Sequence, residues 1–573
     1  MSDQGSVQGS VEGGLDEPEE LEPAQGTLDL ASPEDRWTAS DWEREAAAVL
    51  RKSRRLSDED PDAAVWDKLT RTTLDGIAVP PLGMAALLDD LQTSGRPRRQ
   101  GAWDIRALVD GADARLAHEE ALVDLDGGVT SLWVRGAADY DVLLQDVLLD
   151  LAPVVLDGCD PRAFLAWAAS RELHPATNLG VPAADATAEL ARLAQERGIL
   201  AFVVDGTTVH DVGASDAQEL GWSTAVGAAY LRTLTEAGLS VDEAASLVEF
   251  RYAATDEQFA TIAKLRAARR LWARVLEMSQ AETREQRQHV VTSRPMMSKY
   301  DPWVNMLRTT VAAFAAGVGG ADSVTVLPFD SPLGRPDAFG RRIARNTSHL
   351  LIDESHVARV ADPAGGSYAV EKLTDDLAGV AWRILGELED GAEAQPQLAE
   401  QIAATVARRE ADIATRKRPI TGVTEFPNLG ETLPERSGAP DPVRRYGASF
   451  EALRDHPPSA HVFLATLGPV AQHTARATFA TNLLAAGGIA VDVAGPTRGA
   501  DELVAAYAGQ PVVCLAGSDP AYAEWGEAAA EALRGAGATW VIVAGRPADY
   551  VDDSCAVGID ALEFLIRTRE KLA

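Results

Sequence analysis

From about residue 130 the chain repeats one unit, a short apolar run followed by a long stretch with helical spacing. The runs are TSLWVRG (130–136), APVVLDG (152–158), HPATNLG (174–180), ILAFVVDG (199–206), SLVEFRY (246–252), QHVVTSR (288–294), SVTVLPFD (323–330) and HLLIDES (349–355). HPATNLG is the weakest of them. Strands buried on both faces read as continuous apolar runs, and eight β-then-α units in about 230 residues match a (β/α)8 TIM barrel. Several runs end in Asp, Arg or His, the polar residues expected at the C-terminal mouth, where a barrel carries its active site.

The pattern changes between about 385 and 455, first to helices rich in Ala, Glu and Arg and then to PNLGETLPERSGAPDPVRRYG. The Gly and Pro there predict an extended linker lying over other domains or subunits. From His461 a second alternation begins, with HVFLATL, IAVDVAG, PVVCLAG, WVIVAG and a weak fifth strand at CAVGI separated by helices. That order predicts a small doubly wound domain of flavodoxin type, whose ligands bind at the carboxyl ends of the strands. The organisation expected is an acidic disordered tail (1–35), an N-terminal arm with a helix (36–82), the barrel (83–385), a helical and extended linker (386–455) and the flavodoxin-like domain (456–573). Within the arm, Ser40-Asp41-Trp42-Glu43 has capping-box form and predicts a helix over 40–53.

Composition narrows the function classes. A formal charge of −34 repels polyanions, so nucleic acid is not an expected partner. No apolar run approaches bilayer length. The first 35 residues hold no Lys or Arg, too polar a stretch to fold alone and without the basic start of a signal peptide. Cys159, Cys514 and Cys555 match no metal or disulfide spacing and are read as small buried residues of a cytoplasmic protein.

Four longer segments carry more. FATIAKLRAARRLWARVLE (259–277) reads as a core helix, with Phe259, Ile262, Leu265, Ala268 and Trp272 on one face and Lys264, Arg266 and Arg270 off it. ADPAGGSY reads either as a phosphate or substrate loop or as a plain barrel turn. Together with DPWVNMLRTTVAAFAAGVGGADSV (301–324), FGRRIARNTSHLLIDES (339–355) and VADPAGGSYAVEKL (360–373), they resemble the methylmalonyl-CoA mutase family over roughly residues 65–573. The resemblance implies a cobalamin-binding-type C-terminal domain. It also admits two kinds of chain, a catalytic one and a small subunit that keeps the fold without the chemistry.

Two sites separate those kinds. Cobalamin-binding relatives carry D-x-H-x-x-G after the first strand of the C-terminal domain, the His ligating cobalt and the Asp orienting it. Aligned on ATLG (465–468), this chain has Val470, Gln472 and Ala475 at those positions. His473 is off register by one residue, with Ala471 and Arg476 where its Asp and Gly partners would stand, and is read as a surface or capping histidine. At the barrel mouth, the YPTMY-type loop of active members is replaced by LLDDLQTSG, and TSLWVRG runs through AADYD into the next helix without the long insertion of those members. His210, in TVHDVGAS, stands near the substrate His of catalytic relatives and is read as a vestige.

The resemblance therefore implies a small subunit with no catalytic residue, no metal ligand and no cofactor of its own, paired as a heterodimer with a large subunit that binds adenosylcobalamin. Two alternatives stand beside it. One is a divergent active acyl-CoA mutase that binds cobalamin without a protein His. The other is a regulatory CoA-binding module using Arg294, Arg341, Arg342 and Arg345, although RRIARN reads equally as a helix with a solvated face.

Overall fold

The computed structural model describes residues 36–573 apart from 90, 92, 137–138 and 390–393, so the acidic tail lies outside the described residues, as does part of the AADYD connection. The chain divides into two compact units, one ending at Arg71 and one running from Thr72 to Ala573. In the first, helix α1 (Ala39–Lys52) is capped two residues before the expected position. Thr38, not Ser40, caps it, in a reciprocal box with Asp41. A Ser already inside the first turn has no free N–H to accept from, so Ser40-x-x-Glu43 was a decoy. Glu43 instead accepts from Trp66 Nε1 at 2.6 Å, and Ala47, Leu50, Leu56 and Val65 form a small core.

The second unit opens with a closed barrel of eight parallel strands. They are β1 (Asp104–Asp110), β2 (Ser131–Arg135), β3 (Val154–Asp157), β4 (Asn178–Pro182), β5 (Leu200–Asp205), β6 (Val248–Ala254), β7 (Gln288–Thr292) and β8 (Ser323–Thr325), with β8 closing onto β1. The count of eight holds, but its register along the chain is shifted by one strand. DIRALVD is the first strand, hidden in the sequence because Arg106 points into the barrel. HLLIDES is no strand. It continues helix α5 (Ala338–His349) as a π-helical turn over Leu350–Glu354, because a short apolar run fits a buried helix end as well as a strand. The other helices used below are α2 (Asp216–Glu236), α3 (Gln258–Met278) and α4 (Val304–Val318).

Helix α3 is buried almost all round, which overturns the two-faced reading. Phe259 is exposed, while Lys264, Arg266 and Arg269 are buried. Each is neutralised or saturated: Lys264 by Asp216 and Glu219, Arg266 by Asp362 and Glu371, Arg269 by Gly95 O, Gln288 and Gly319 O. The contacts of Arg266 also account for ADPAGGSY, a turn folded onto this arginine, with Gly366 at φ +79° donating its N–H to Glu371.

The C-terminal sheet has strands β9 (Val462–Thr466), β10 (Val491–Val493), β11 (Val512–Ala516), β12 (Trp540–Ala544) and β13 (Asp553–Cys555), all parallel in the order β10-β9-β11-β12-β13. This is the flavodoxin order, and the fifth strand ends at Cys555 rather than starting there. Cys514 and Cys555 are buried, Cys159 only half-buried, and all three are free thiols. Between barrel and sheet, the segment 418–447 crosses the barrel mouth. Asp441 reaches Arg135 and Arg294, Arg436 reaches Asp330, and Tyr446 N–H donates to Pro295 O. Among the described residues no helix is long and apolar enough to cross a membrane.

Candidate functional site

In a catalytic barrel of this type the axis and mouth hold the reactants, so the side chains there decide what the barrel can do. Residues alternate between axis and helix layer along each strand, which aims Glu249 and Arg251 of β6 at the axis together with Arg106, Trp133 and His289. All five are buried. Low in the barrel, Arg106 reaches across to Glu249 at 2.8 Å and also donates to Ser131 Oγ at 3.1 Å. Burial opposes its charge, but Glu249 and Asp104 hold the guanidinium protonated more firmly than usual. Above it, the Trp133 ring meets His289 edge-on at 5.3 Å and lies 4.2 Å from the Arg251 guanidinium.

The protonation of this stack follows from its donors. Arg251 Nε can only donate, so His289 Nδ1, 3.2 Å away, accepts. The proton then sits on Nε2 and is donated to Thr325 Oγ1 at 2.8 Å. Burial, with Arg106, Arg251 and Arg294 nearby, holds this imidazole well below its ordinary value. Arg251 is paired with Asp205 at 2.6 Å, and Trp133 Nε1 donates to Asp157 at 3.1 Å. The axis is thus filled by a satisfied network whose members come from seven strands.

At the mouth, Arg294 bonds Asp211 at 3.1 Å and Asp441 at 2.9 Å, and Arg135 bonds Asp441 at 3.1 Å. Burial opposes ionisation of Asp441, yet Arg135 and Arg294 hold its carboxyl below the ordinary range. His210 follows β5 and is buried, its Nε2 2.7 Å from Ser293 Oγ and its Nδ1 3.5 Å from Glu219. Glu219 is itself held by Lys264 and the N–H of Ala253. A histidine so enclosed faces packed side chains rather than a substrate space.

The remaining arginines of the sequence reading separate. Arg341 and Arg345 turn inward to the buried Asp124 beside a groove of about 390 Å3, so their face of RRIARN is not solvated. Arg342 stays on the surface, 5.4 Å over the Phe339 ring.

In the C-terminal domain the loop after β9 leads straight into helix α6 (Val470–Ala486). Val470 is exposed on the first turn. Gln472 folds back over Gly468, whose φ is +84°, so closely that a Cβ on Gly468 would lie 2.3 Å from its Oε1. His473 is not on the surface: it is 7% exposed, and its Nδ1 donates to Gly468 O at 3.0 Å. Three residues on, Arg476 extends over the carboxyl ends of β11 and β12. It donates to Gly517 O at 2.7 Å, pairs with Asp519 and lies 4.9 Å from the Tyr522 ring. A Cβ on Gly545, after β12, would already touch both Arg476 and Tyr522. These residues do not fit cobalamin. Val470 and Ala475 carry no donor or acceptor, Gln472 is turned onto the loop, His473 is spent holding it, and Arg476 covers the crest where a ligand lies in this architecture.

Arg106, Trp133, His289, Glu249, Arg251 and Asp441 were not singled out from the sequence, and Arg476 entered only as the residue in place of a glycine. One signal was available. E-x-R in SLVEFRY places two charges on one face of a strand buried on both, which only the axis of a barrel can accept.

The match to known proteins agrees with this architecture. Residues 191–471 match the family model described as methylmalonyl-CoA mutase. The chain is 44% identical to the methylmalonyl-CoA mutase small subunit of Streptomyces virginiae, over 95% of this chain and 98% of that one. It is 41% identical to a probable methylmalonyl-CoA mutase small subunit of Mycobacterium bovis, over 88% and 92%. It is 35% identical to the small subunit of Propionibacterium freudenreichii subsp. shermanii, over 95% and 96%. This chain therefore belongs to the methylmalonyl-CoA mutase family and, over nearly its whole length, is similar to that family's small subunits.

Proposed function

We propose that the chain is the non-catalytic small subunit of an adenosylcobalamin-dependent methylmalonyl-CoA mutase of the cytoplasm. In that heterodimer the large subunit binds the cofactor and interconverts (R)-methylmalonyl-CoA and succinyl-CoA. The observation that carries the reading is the Trp133 ring packed against the hydrogen-bonded His289 and Arg251 on the barrel axis. Radical chemistry on an acyl-CoA needs a dry, open pocket that holds cofactor and thioester together, and here that space is taken by ion-paired side chains. The covered crest under Arg476 supports the same reading from the other domain.

The two alternatives lose ground for stated reasons. A divergent active mutase would need the axis cleared of a buried Arg–Glu pair, whose disruption leaves an uncompensated charge. A CoA-binding module would use guanidinium groups of which three, on Arg294, Arg341 and Arg345, are already bound to carboxylates. The role left is structural, a rigid body that stabilises the large subunit.

The test uses the full chain alone and co-expressed with the large subunit of the same organism. The lone chain should let hydroxocobalamin pass through gel filtration unretained and give no mutase turnover, whereas the mixture turns over. Retention of cobalamin or turnover by the lone chain overturns the proposal.

A further inference from the structure

Helix α4 lies in the outer ring of the barrel, yet it carries almost no charge. Between Val304 and Val318 the single charged side chain is Arg308. It is buried, donating to Ser298 Oγ, Asn305 Oδ1 and Thr421 O. In a chain of which 24% is charged, the outward positions here are Trp303, 48% exposed, Leu307, 67% exposed, and Thr310. Trp303 and Leu307 are one helical turn apart and share a face.

Further exposed apolar side chains stand on α5 and in the segment after it, with the Arg342 guanidinium over the Phe339 ring. Phe339 and Leu350 are eleven residues apart, three helical turns, and both are exposed, as is Val360 beyond them. Buried Phe329 joins the two helices: it stacks on Trp303 at 5.0 Å and meets Phe339 edge-on at 5.9 Å. The aromatic part of the belt is therefore held rigid from beneath, as an interface anchor requires. Taking about 200 Å2 for each large side chain, the five residues leave roughly 500 Å2 of apolar surface in water. That is at the upper end of what a soluble monomer tolerates, and it matches the apolar share of an interface taking roughly 800 Å2 from each partner.

We propose that this belt, built on Trp303, Leu307, Phe339, Leu350 and Val360, is the face on which the chain docks the large subunit. The inference rests on the small-subunit reading above. It names the surface, which is apolar on α4 and on α5 carries the Arg342 guanidinium over the Phe339 ring.

The test is a binding measurement with purified full-length chains, again using the large subunit of the same organism. Leu307 is mostly in water, so Leu307→Asp should leave the melting temperature of the lone chain unchanged while lowering affinity for the large subunit at least 30-fold. Leu148→Asp, at an exposed apolar residue outside the belt, should change neither. Undiminished affinity in Leu307→Asp overturns the belt and leaves the small-subunit reading standing. A parent chain that forms no complex overturns that reading, and the belt proposal with it. Self-association of the lone chain that Leu307→Asp abolishes, with the mixed complex unaffected, assigns the belt to a second copy and overturns the proposal as well. If Leu307→Asp lowers the melting temperature, Thr310→Arg replaces it, with the same 30-fold loss required.

Discussion

His289 illustrates how one residue's state is set by neighbours remote in sequence. Its ring accepts from Arg251 and donates to Thr325, both across strand boundaries, and burial among arginines keeps it neutral when folded. In the unfolded chain it regains an ordinary value near 6.5. Below that pH the unfolded chain binds a proton that the folded chain refuses, so this histidine's contribution is complete above pH 6.5 and is lost as pH falls. Gln can reproduce both hydrogen bonds without titrating. Denaturant unfolding of the parent and of His289→Gln between pH 7 and pH 5 should differ in slope by about 1.4 kcal/mol per pH unit below 6.5, the parent falling faster. Equal slopes would mean that His289 is charged when folded.

Among the elements, strand β4 was the least legible, and its backbone explains why. Its pairing with β5 shifts register between Asn178 and Val181, and Gly180 sits at φ +68° with the place of a Cβ only 1.7 Å from Leu156 O. A strand interrupted by a left-handed glycine cannot produce a clean apolar run. Gly180→Ala should cost on the order of 3 kcal/mol, from strain plus a backbone clash. Gly158 has φ +65° with open space around it, so Gly158→Ala should cost about 1 kcal/mol. Equal losses in chemical denaturation would discard the clash as the cause. The same local logic accounts for the other misreadings. DIRALVD was obscured by the inward-facing Arg106, and HLLIDES is short enough to end a helix or form a strand.

At the scale of the molecule, the helix Ala448–Asp455 joins barrel and sheet. Arg454 donates to Gly422 O, Asn428 O and Glu431, and its guanidinium lies 4.0 Å from the barrel's Tyr300 ring. Beside it, Asp455 accepts from Lys299 Nζ and Tyr300 OH, while Glu451 accepts from the Lys299 N–H. The expected linker is therefore a clamp. Arg454→Ala removes its centre, and by calorimetry the C-terminal sheet should melt below the barrel, whereas in the parent the two unfold together. A single transition in the variant would locate the coupling elsewhere.

What the sequence determined by itself was what depends on order along the chain. The alternation of apolar run and helical stretch specifies parallel strands, seven of the eight barrel strands and a second doubly wound domain, because each strand must bury its own faces. The residues standing at 470, 472 and 475, compared with the D-x-H-x-x-G of cobalamin-binding relatives, were equally legible. Only the tertiary structure decided what replaced the lost chemistry. Trp133, Arg251 and His289 are over a hundred residues apart from first to last and meet because the barrel closes. Arg476 covers the crest because Tyr522 lies beside it on the folded sheet. Local periodicity shows that a side chain turns inward. Which partner it finds there depends on closure and strand order, which no short stretch of chain contains.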